Sequence, residues 1–197
     1  MIDIMFMNIL YSNNLSQHRD KNEYFYKKVL EIKNNHKNSP QKSGWVCDTF
    51  NTDGLYDLYQ DPVFQPILRD IKSEVLKFSK EFGQGNNNIS YNGGWINLAA
   101  PGAYQEYHVH GNSHFSIVYY IDVPDNSGDI VFLSPEATVA DMYPLPKEEK
   151  VTYAGMKTFK FKPAANDLLI FRSNVMHMVN QNKSDCDRVS ISINFTF

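Results

Sequence analysis

A chain of 197 residues fits one domain, and this one holds no apolar run of about 20 residues that could cross a bilayer as a helix. Its net charge of -3 comes with Lys and Arg spread thinly, which excludes the basic footprint of a non-specific nucleic-acid binder but not a nucleic-acid substrate held in a pocket. Its two cysteines, Cys47 and Cys186, lie far apart with no Cys-x-x-Cys spacing, which excludes a disulfide framework or zinc ribbon and points to a reducing compartment, by default the cytoplasm.

Residues 1–7 are apolar apart from Asp3, with no basic leader and no small-residue cleavage pattern, so they read as an edge strand rather than a signal peptide. Residues 15–33 form the first helical stretch, where Tyr24, Val29 and Ile32 stand among Lys, Glu and Gln and Asn34-Asn35 close the pattern. This helix is expected to cover one face of a sheet. A turn-rich connection follows over 44–58, with short extended pieces at Trp45, Val46 and Phe50. Asp61-Pro62 then predicts the start of a second helix, since Asp caps and Pro suits the first helical position. Val63, Ile67, Ile71, Val75, Leu76 and Phe78 give it a core-facing stripe.

The polar stretch 83–88 reads as a loop, and beyond it the text changes character. Short apolar or alternating runs at 95–99, 115–123, 130–133, 158–162, 168–171, 175–179 and 188–197 are separated by turn residues such as Pro101-Gly102 and Pro124-Asp125-Asn126-Ser127-Gly128. An aromatic share of 14% fits strands that set large side chains on a pleat. Strands in series without intervening helices predict a mainly β (α+β) fold, a double-sheet jelly roll or barrel flanked by the N-terminal helices. One domain over 1–197 is expected, with supporting elements in 1–88 and the jelly-roll core in 89–197.

The last run alternates most cleanly. Arg188, Ser190, Ser192 and Asn194 fall on one face, and Val189, Ile191, Ile193 and Phe195 on the other. The polar face suits either solvent or a ligand-filled interior. An arginine at its head offers a planar fork that grips a carboxylate through two parallel hydrogen bonds. Upstream, Glu106-Tyr107-His108-Val109-His110 places two imidazoles one residue apart, and on a strand these point to the same side and can reach one ion. A third, His177, sits in the apolar run Val175-Met176-His177-Met178-Val179, where a lone histidine is more often packed than ligating. The ordered series His108, His110, His177, Arg188, Ser190 is more specific than any of its members. It leaves coordination positions open for water and substrate.

Several stretches match a known pattern: Trp95-Ile96-Asn97, Tyr107-His108-Val109-His110, Ser116-Ile117-Val118-Tyr119-Tyr120, Ser127-Gly128-Asp129-Ile130, Asn166-Asp167-Leu168-Leu169-Ile170-Phe171, His177, and Arg188-Val189-Ser190-Ile191-Ser192-Ile193-Asn194. Through them, residues 90–197 resemble the 2-oxoglutarate-dependent Fe(II) oxygenases with a double-stranded β-helix core, in particular small oxygenases of phages and marine bacteria. The resemblance implies that His108 and His177 ligate Fe(II) and that Arg188 pairs with the distal carboxylate of 2-oxoglutarate. Ser190 supports that carboxylate, the Tyr120 phenol contacts it, and Asn97 touches the co-substrate. Asn194, on the face of Arg188, lines the substrate side. The implied activity is a hydroxylase that couples decarboxylation of 2-oxoglutarate by dioxygen to C–H oxidation of an unknown substrate, with no membrane partner and the oligomeric state left open, a homodimer included.

The sequence departs from the widespread His-x-Asp pattern at His110. The nearer branch carries His-x-His, which makes His110 the expected third ligand. Two other arrangements stay open: His110 stands aside, or a carboxylate such as Glu106 binds instead. Asn166 replaces a frequent Gly, and Asn tolerates the left-handed turn better than other residues with a side chain. His114 is expected at the surface or behind the ligands, and His18 and His36 in solvent. Trp95, Phe132, Phe171 and Phe195 are assigned to packing. The N-terminal helices and the connection 133–151 are expected to shape substrate access. Two alternatives compete: a cupin-like metal enzyme that does not use 2-oxoglutarate, and a non-enzymatic jelly-roll binding module.

Overall fold

The computed structural model describes residues 8–37, 46, 49–83, 88–135 and 156–197. The edge strand expected at 1–7, the extended piece at Trp45, and most of the connection 133–151 lie outside the described residues. Along the chain run β1 (Tyr11–Asn14), a 3-10 helix (Ser16–Lys21), α1 (Asn22–Asn35), β2 (Phe50–Asn51), α2 (Gln65–Glu81), β3 (Ser90–Ala99), β4 (Gln105–His108), β5 (Phe115–Asp122), β6 (Ile130–Leu133), β7 (Thr158–Phe161), β8 (Asp167–Arg172), β9 (His177–Val179) and β10 (Arg188–Thr196).

The strands build two sheets, one in the order β1-β8-β5-β10-β3-β2 and one in the order β4-β9-β6-β7. Each described pairing is antiparallel. This is the expected jelly roll, the double-stranded β-helix. The larger sheet is covered on both faces, which explains why β5 and β8 read as nearly unbroken apolar runs. On its outer face Ile117, Tyr119, Ile170, Ile191, Ile193 and Phe195 pack with Phe25 and Val29 of α1 and Ile67, Ile71, Val75 and Phe78 of α2. On its inner face Tyr120, Leu169 and Phe171 meet Ile130 and Phe132 of the smaller sheet. Each of these aliphatic and aromatic side chains contributes about 1.5–3 kcal/mol by leaving water.

Both helices start later than their sequence signals. Residues 16–21 take the tighter 3-10 form before α1, and the buried stripe of α1 is Phe25, Val29 and Ile32, with Tyr24 turned to solvent. At the second helix, Asp61 does not cap: its Oδ1 accepts from the Val63 N–H at 2.8 Å and its Oδ2 takes the Tyr56 hydroxyl, which holds residues 61–64 as a turn. Pro66 serves the first turn of α2 instead. Strand β3 begins at Ser90, five residues before the expected 95, because Ser90 and Tyr91 pair with Thr196 and Phe195 of β10. Gly93 and Gly94 lie inside it, so tertiary pairing overrides a poor local propensity.

Buried Glu74 of α2 fastens β1, accepting from the Tyr11 hydroxyl and, at 3.2 Å, from Asn13 Nδ2. Burial pushes its pKa up, but the donors Lys77, Tyr11 and Asn13 outweigh this and hold it below the ordinary 4.5. The folded state thus binds the proton more weakly than the unfolded chain. The stability this adds is present above about pH 4.5 and is lost as pH falls through the lowered folded value. Glu74→Gln is therefore expected to flatten the acid limb of thermal stability, which a melting series from pH 5.5 to about 3 measures.

Two left-handed positions shape the site's frame. Asn166 has φ 70° and is fully integrated: its N–H donates to Tyr120 O at 2.7 Å and its Oδ1 accepts the Tyr119 hydroxyl at 3.0 Å. Gly128 has φ 98°, and the space a side chain would need is taken by the Asn180 carbonyl. Gly128→Ala combines strain with a backbone collision, so a loss of about 2–4 kcal/mol is expected, readable as a lowered midpoint in urea unfolding.

Candidate metal centre

The smaller sheet sets His108 and His177 side by side at the ends of two paired strands, and the segment after β4 adds His110. His108 closes β4 and pairs directly across from His177, the first residue of β9. His110 lies beyond β4, so strand alternation does not aim it as the sequence reading supposed. It is held by its own backbone: the His110 N–H donates to Ser173 O at 2.9 Å, and the Ser173 N–H donates to His114 O at 3.1 Å. One ring nitrogen from each of His108, His110 and His177 lies within 4.8 Å of the others, close enough for one ion. Among the described residues this is the only such group of His, Cys, Asp and Glu side chains.

Hydrogen bonds orient two of these rings. His108 Nδ1 lies 2.7 Å from the Glu106 carbonyl and His177 Nδ1 lies 2.9 Å from the Val175 carbonyl. A carbonyl only accepts, so each Nδ1 carries the proton and each Nε2 keeps a lone pair for an ion. Burial and the neighbouring His108 imidazole, with a smaller contribution from His110, push the His177 pKa well below its ordinary value, so this ring stays neutral and able to ligate. Phe171 stands edge-on to His177 with ring centres 4.7 Å apart, and Phe132 lies 6.0 Å away, walling the buried imidazole from water. Trp95, assigned to packing, lies 5.4 Å from the His110 ring.

The Glu106 carboxylate turns elsewhere, accepting from the Val46 N–H at 2.6 Å and from Gln105 Nε2 at 3.2 Å. It is not in the ligand group, and the centre as built has three imidazoles and no carboxylate among the described residues. His114 is exposed and bonds Thr196 Oγ1 at 3.1 Å, at the surface. His18 departs from expectation. It is buried, only 4% exposed, with Nε2 2.8 Å from Asp70 on α2. The 3-10 segment that carries it packs onto that helix, which polarity of the surrounding text did not reveal.

The polar face of β10 turns inward. Arg188, Ser190 and Asn194 are all buried. Ser190 pairs with Asn97 of β3 on one side and Tyr120 of β5 on the other, while Ser192 pairs with Trp95, whose ring meets His110. One face therefore carries Arg188, Ser190, Asn97, Tyr120 and the wall of the histidine centre. Arg188 docks one end of its guanidinium on the loop before β6, Nη1 donating to Ser127 O at 2.7 Å and Gly128 O at 3.2 Å. Its Nε is buried with no partner. Burial lowers the guanidinium's pKa and Tyr120 opposes this; an arginine starts so high that it keeps its charge. Burial pushes the Tyr120 phenol up, which leaves it protonated as a donor.

Two sequence-predicted residues have protein partners. Asn97 Nδ2 donates to Ser192 Oγ at 3.1 Å while its Oδ1 accepts from Asn51 at 2.8 Å. Asn194 Oδ1 accepts from Ser116 Oγ at 2.7 Å, and Ser116 Oγ lies 2.9 Å from Ser173 Oγ. Sequence reasoning missed Ser116 and Ser173. This trio braces Ser173, the residue whose carbonyl holds His110, and only the alternation of β10 hinted at its Asn194 end.

A family model described as "Putative 2OG-Fe(II) oxygenase" matches residues 93–194. Among solved structures, the chain is similar to a Pseudomonas putida prolyl-4-hydroxylase at 15% identity and TM-score 0.67, covering 94% of this chain and 91% of that one. It is similar to the viral collagen prolyl hydroxylase of Paramecium Bursaria Chlorella virus-1, in a 2OG complex, at 10% identity and TM-score 0.63, covering 94% of each chain. It is also similar to HygX from Streptomyces hygroscopicus, with nickel and 2-oxoglutarate bound, at 11% identity and TM-score 0.61, covering 95% of this chain and 82% of that one. At these identities the likeness speaks for the fold. No curated protein matches the chain significantly.

Proposed function

The chain belongs to the 2OG-Fe(II) oxygenase family, and from that premise we propose that it is a hydroxylase whose site is the three-histidine centre facing Arg188. Bound Fe(II) and 2-oxoglutarate supply the oxidising chemistry, joining decarboxylation of the keto acid by dioxygen to oxidation of a C–H bond. His108, His110 and His177 hold the ion. Arg188 binds the distal carboxylate of 2-oxoglutarate through its Nε edge, with the Ser190 hydroxyl and the Tyr120 phenol as further donors. Asn97 acts from its place in the Asn51 and Ser192 chain, and Asn194 borders the substrate side while bracing the His110 segment. Phe132 and Phe171 keep water from the buried ligand.

The observation that carries this reading is the buried, unpartnered Nε of Arg188 on a sheet face that also holds Trp95 against His110. An uncompensated donor at that depth costs about 1–3 kcal/mol, and a carboxylate supplies its missing partner. The donor set fits the group. Neutral imidazoles suit a divalent iron, and the fork suits a dicarboxylic keto acid. The similar structures that hold 2OG, or nickel and 2-oxoglutarate, support the same assignment. We place the protein in the cytoplasm as one domain: Cys186 is a free thiol, no described helix is long and apolar enough to cross a membrane, and both helices pack on the larger sheet.

Anaerobic titration with Fe(II) and 2-oxoglutarate tests the proposal. A visible metal-to-ligand charge-transfer band is expected, followed by succinate on admission of oxygen. Absence of both would sink it.

A further inference from the structure

We propose that the Ser127 hydroxyl is a further binding group for the distal carboxylate of 2-oxoglutarate, working beside Arg188, Ser190 and Tyr120; this rests on the site reading above. Ser127 is 2% exposed, yet its Oγ has no hydrogen-bond partner. Among the described residues five buried side-chain polar atoms are unpartnered, and two of them, Ser127 Oγ and Arg188 Nε, belong to residues joined by the 2.7 Å bond from Arg188 Nη1 to Ser127 O. The remaining three are on His18, Asn22 and Tyr59, in the helices and connection outside the larger sheet.

The loop that presents Ser127 is stitched in place from both sides. Asn126 O accepts the Lys183 N–H at 2.9 Å, Asp129 O accepts the Asn180 N–H at 2.9 Å, and the Ser127 N–H donates to Pro124 O at 3.2 Å. Gly128 presses its backbone against the Asn180 carbonyl, where no side chain fits. These bonds hold the backbone that carries the buried hydroxyl. Its own carbonyl is spent on Arg188, so hydroxyl and guanidinium share one corner of the interior. With Nη1 docked on the loop, the Nε edge of Arg188 remains for an anion. Buried donors held apart from protein partners in one corner mark a place prepared for an acceptor.

The test compares wild type and Ser127→Ala by calorimetric titration of the Mn(II)-loaded proteins with 2-oxoglutarate under anaerobic conditions. Removing a hydroxyl bonded to a carboxylate is expected to weaken 2-oxoglutarate about tenfold, while Mn(II) affinity stays unchanged. The metal-free Ser127→Ala protein should melt no lower than wild type, because the hydroxyl it loses makes no bond there; a structural hydroxyl would give the opposite. Equal 2-oxoglutarate affinity in the two proteins, a parallel loss of Mn(II) affinity, or a lowered melting temperature of the metal-free variant overturns the role of Ser127. Failure of the wild type itself to bind 2-oxoglutarate overturns the underlying site reading as well, and so separates the two failures.

Discussion

Replacing Arg188 with alanine is expected to abolish 2-oxoglutarate-dependent succinate formation while metal binding by the histidines survives. The guanidinium is buried, its Nη1 is committed to the carbonyls of Ser127 and Gly128, and its Nε is left unpartnered. Two charge-assisted bonds lost at such depth weaken 2-oxoglutarate by roughly 100- to 1000-fold. The same change strands two loop carbonyls, so some loss of stability accompanies it. Measuring 2-oxoglutarate affinity and Mn(II) affinity on the folded variant separates the effects. Arg188→Lys should rescue little, since a compact ammonium cannot reach both the loop carbonyls and a bidentate anion. Near-normal 2-oxoglutarate affinity in Arg188→Ala would remove Arg188 from the carboxylate-binding role.

The second large effect belongs to His177. His177→Ala removes the most deeply buried ligand, with its ring oriented by the Val175 carbonyl and walled by Phe171. It is expected to weaken metal binding by at least about 100-fold, beyond the 10- to 100-fold typical of outer-shell changes. His110→Ala then resolves what His-x-His left open. A fall in affinity of tenfold or more makes His110 a ligand; an affinity equal to wild type shows that it stands aside. His110→Asp, which restores the commoner family pattern, should bind metal better than His110→Ala. Equilibrium dialysis with Mn(II) reads all three.

The brace behind His110 makes the position of its ring depend on residues beyond it. Ser116, Ser173 and Asn194 link β5, the segment after β8, and β10. A change in any of them moves the carbonyl that carries His110 before it touches the metal directly.

Much of the fold was legible because a strand buried on one or both faces must write its environment into period two or into an apolar run. The strands at 115–122, 130–133, 167–172 and 188–196 follow that rule closely. The helix starts were less legible: Asp61-Pro62 carries the residues of a helix start, and only the competing bonds of Val63 and Tyr56 turn it into a connection. His18 looked solvated because its neighbours are polar, yet packing on α2 buries it against Asp70.

By itself the sequence determined which residue types are available and in what order: His108, His110 and His177, then Arg188 and Ser190 on an alternating strand, in text that matches one oxygenase family. Alternation is a local property of the backbone, so it can be read without the partner. Only the tertiary structure decided that the polar face of β10 looks inward, that His110 is held off the strand by Ser173, that Glu106 is engaged elsewhere, and that Ser127 and Arg188 are left with unpaired donors in one corner. Those outcomes depend on register between strands distant in sequence and on loops whose bonds run to other segments. Such partners are chosen by the folded whole and leave no periodic mark in the chain.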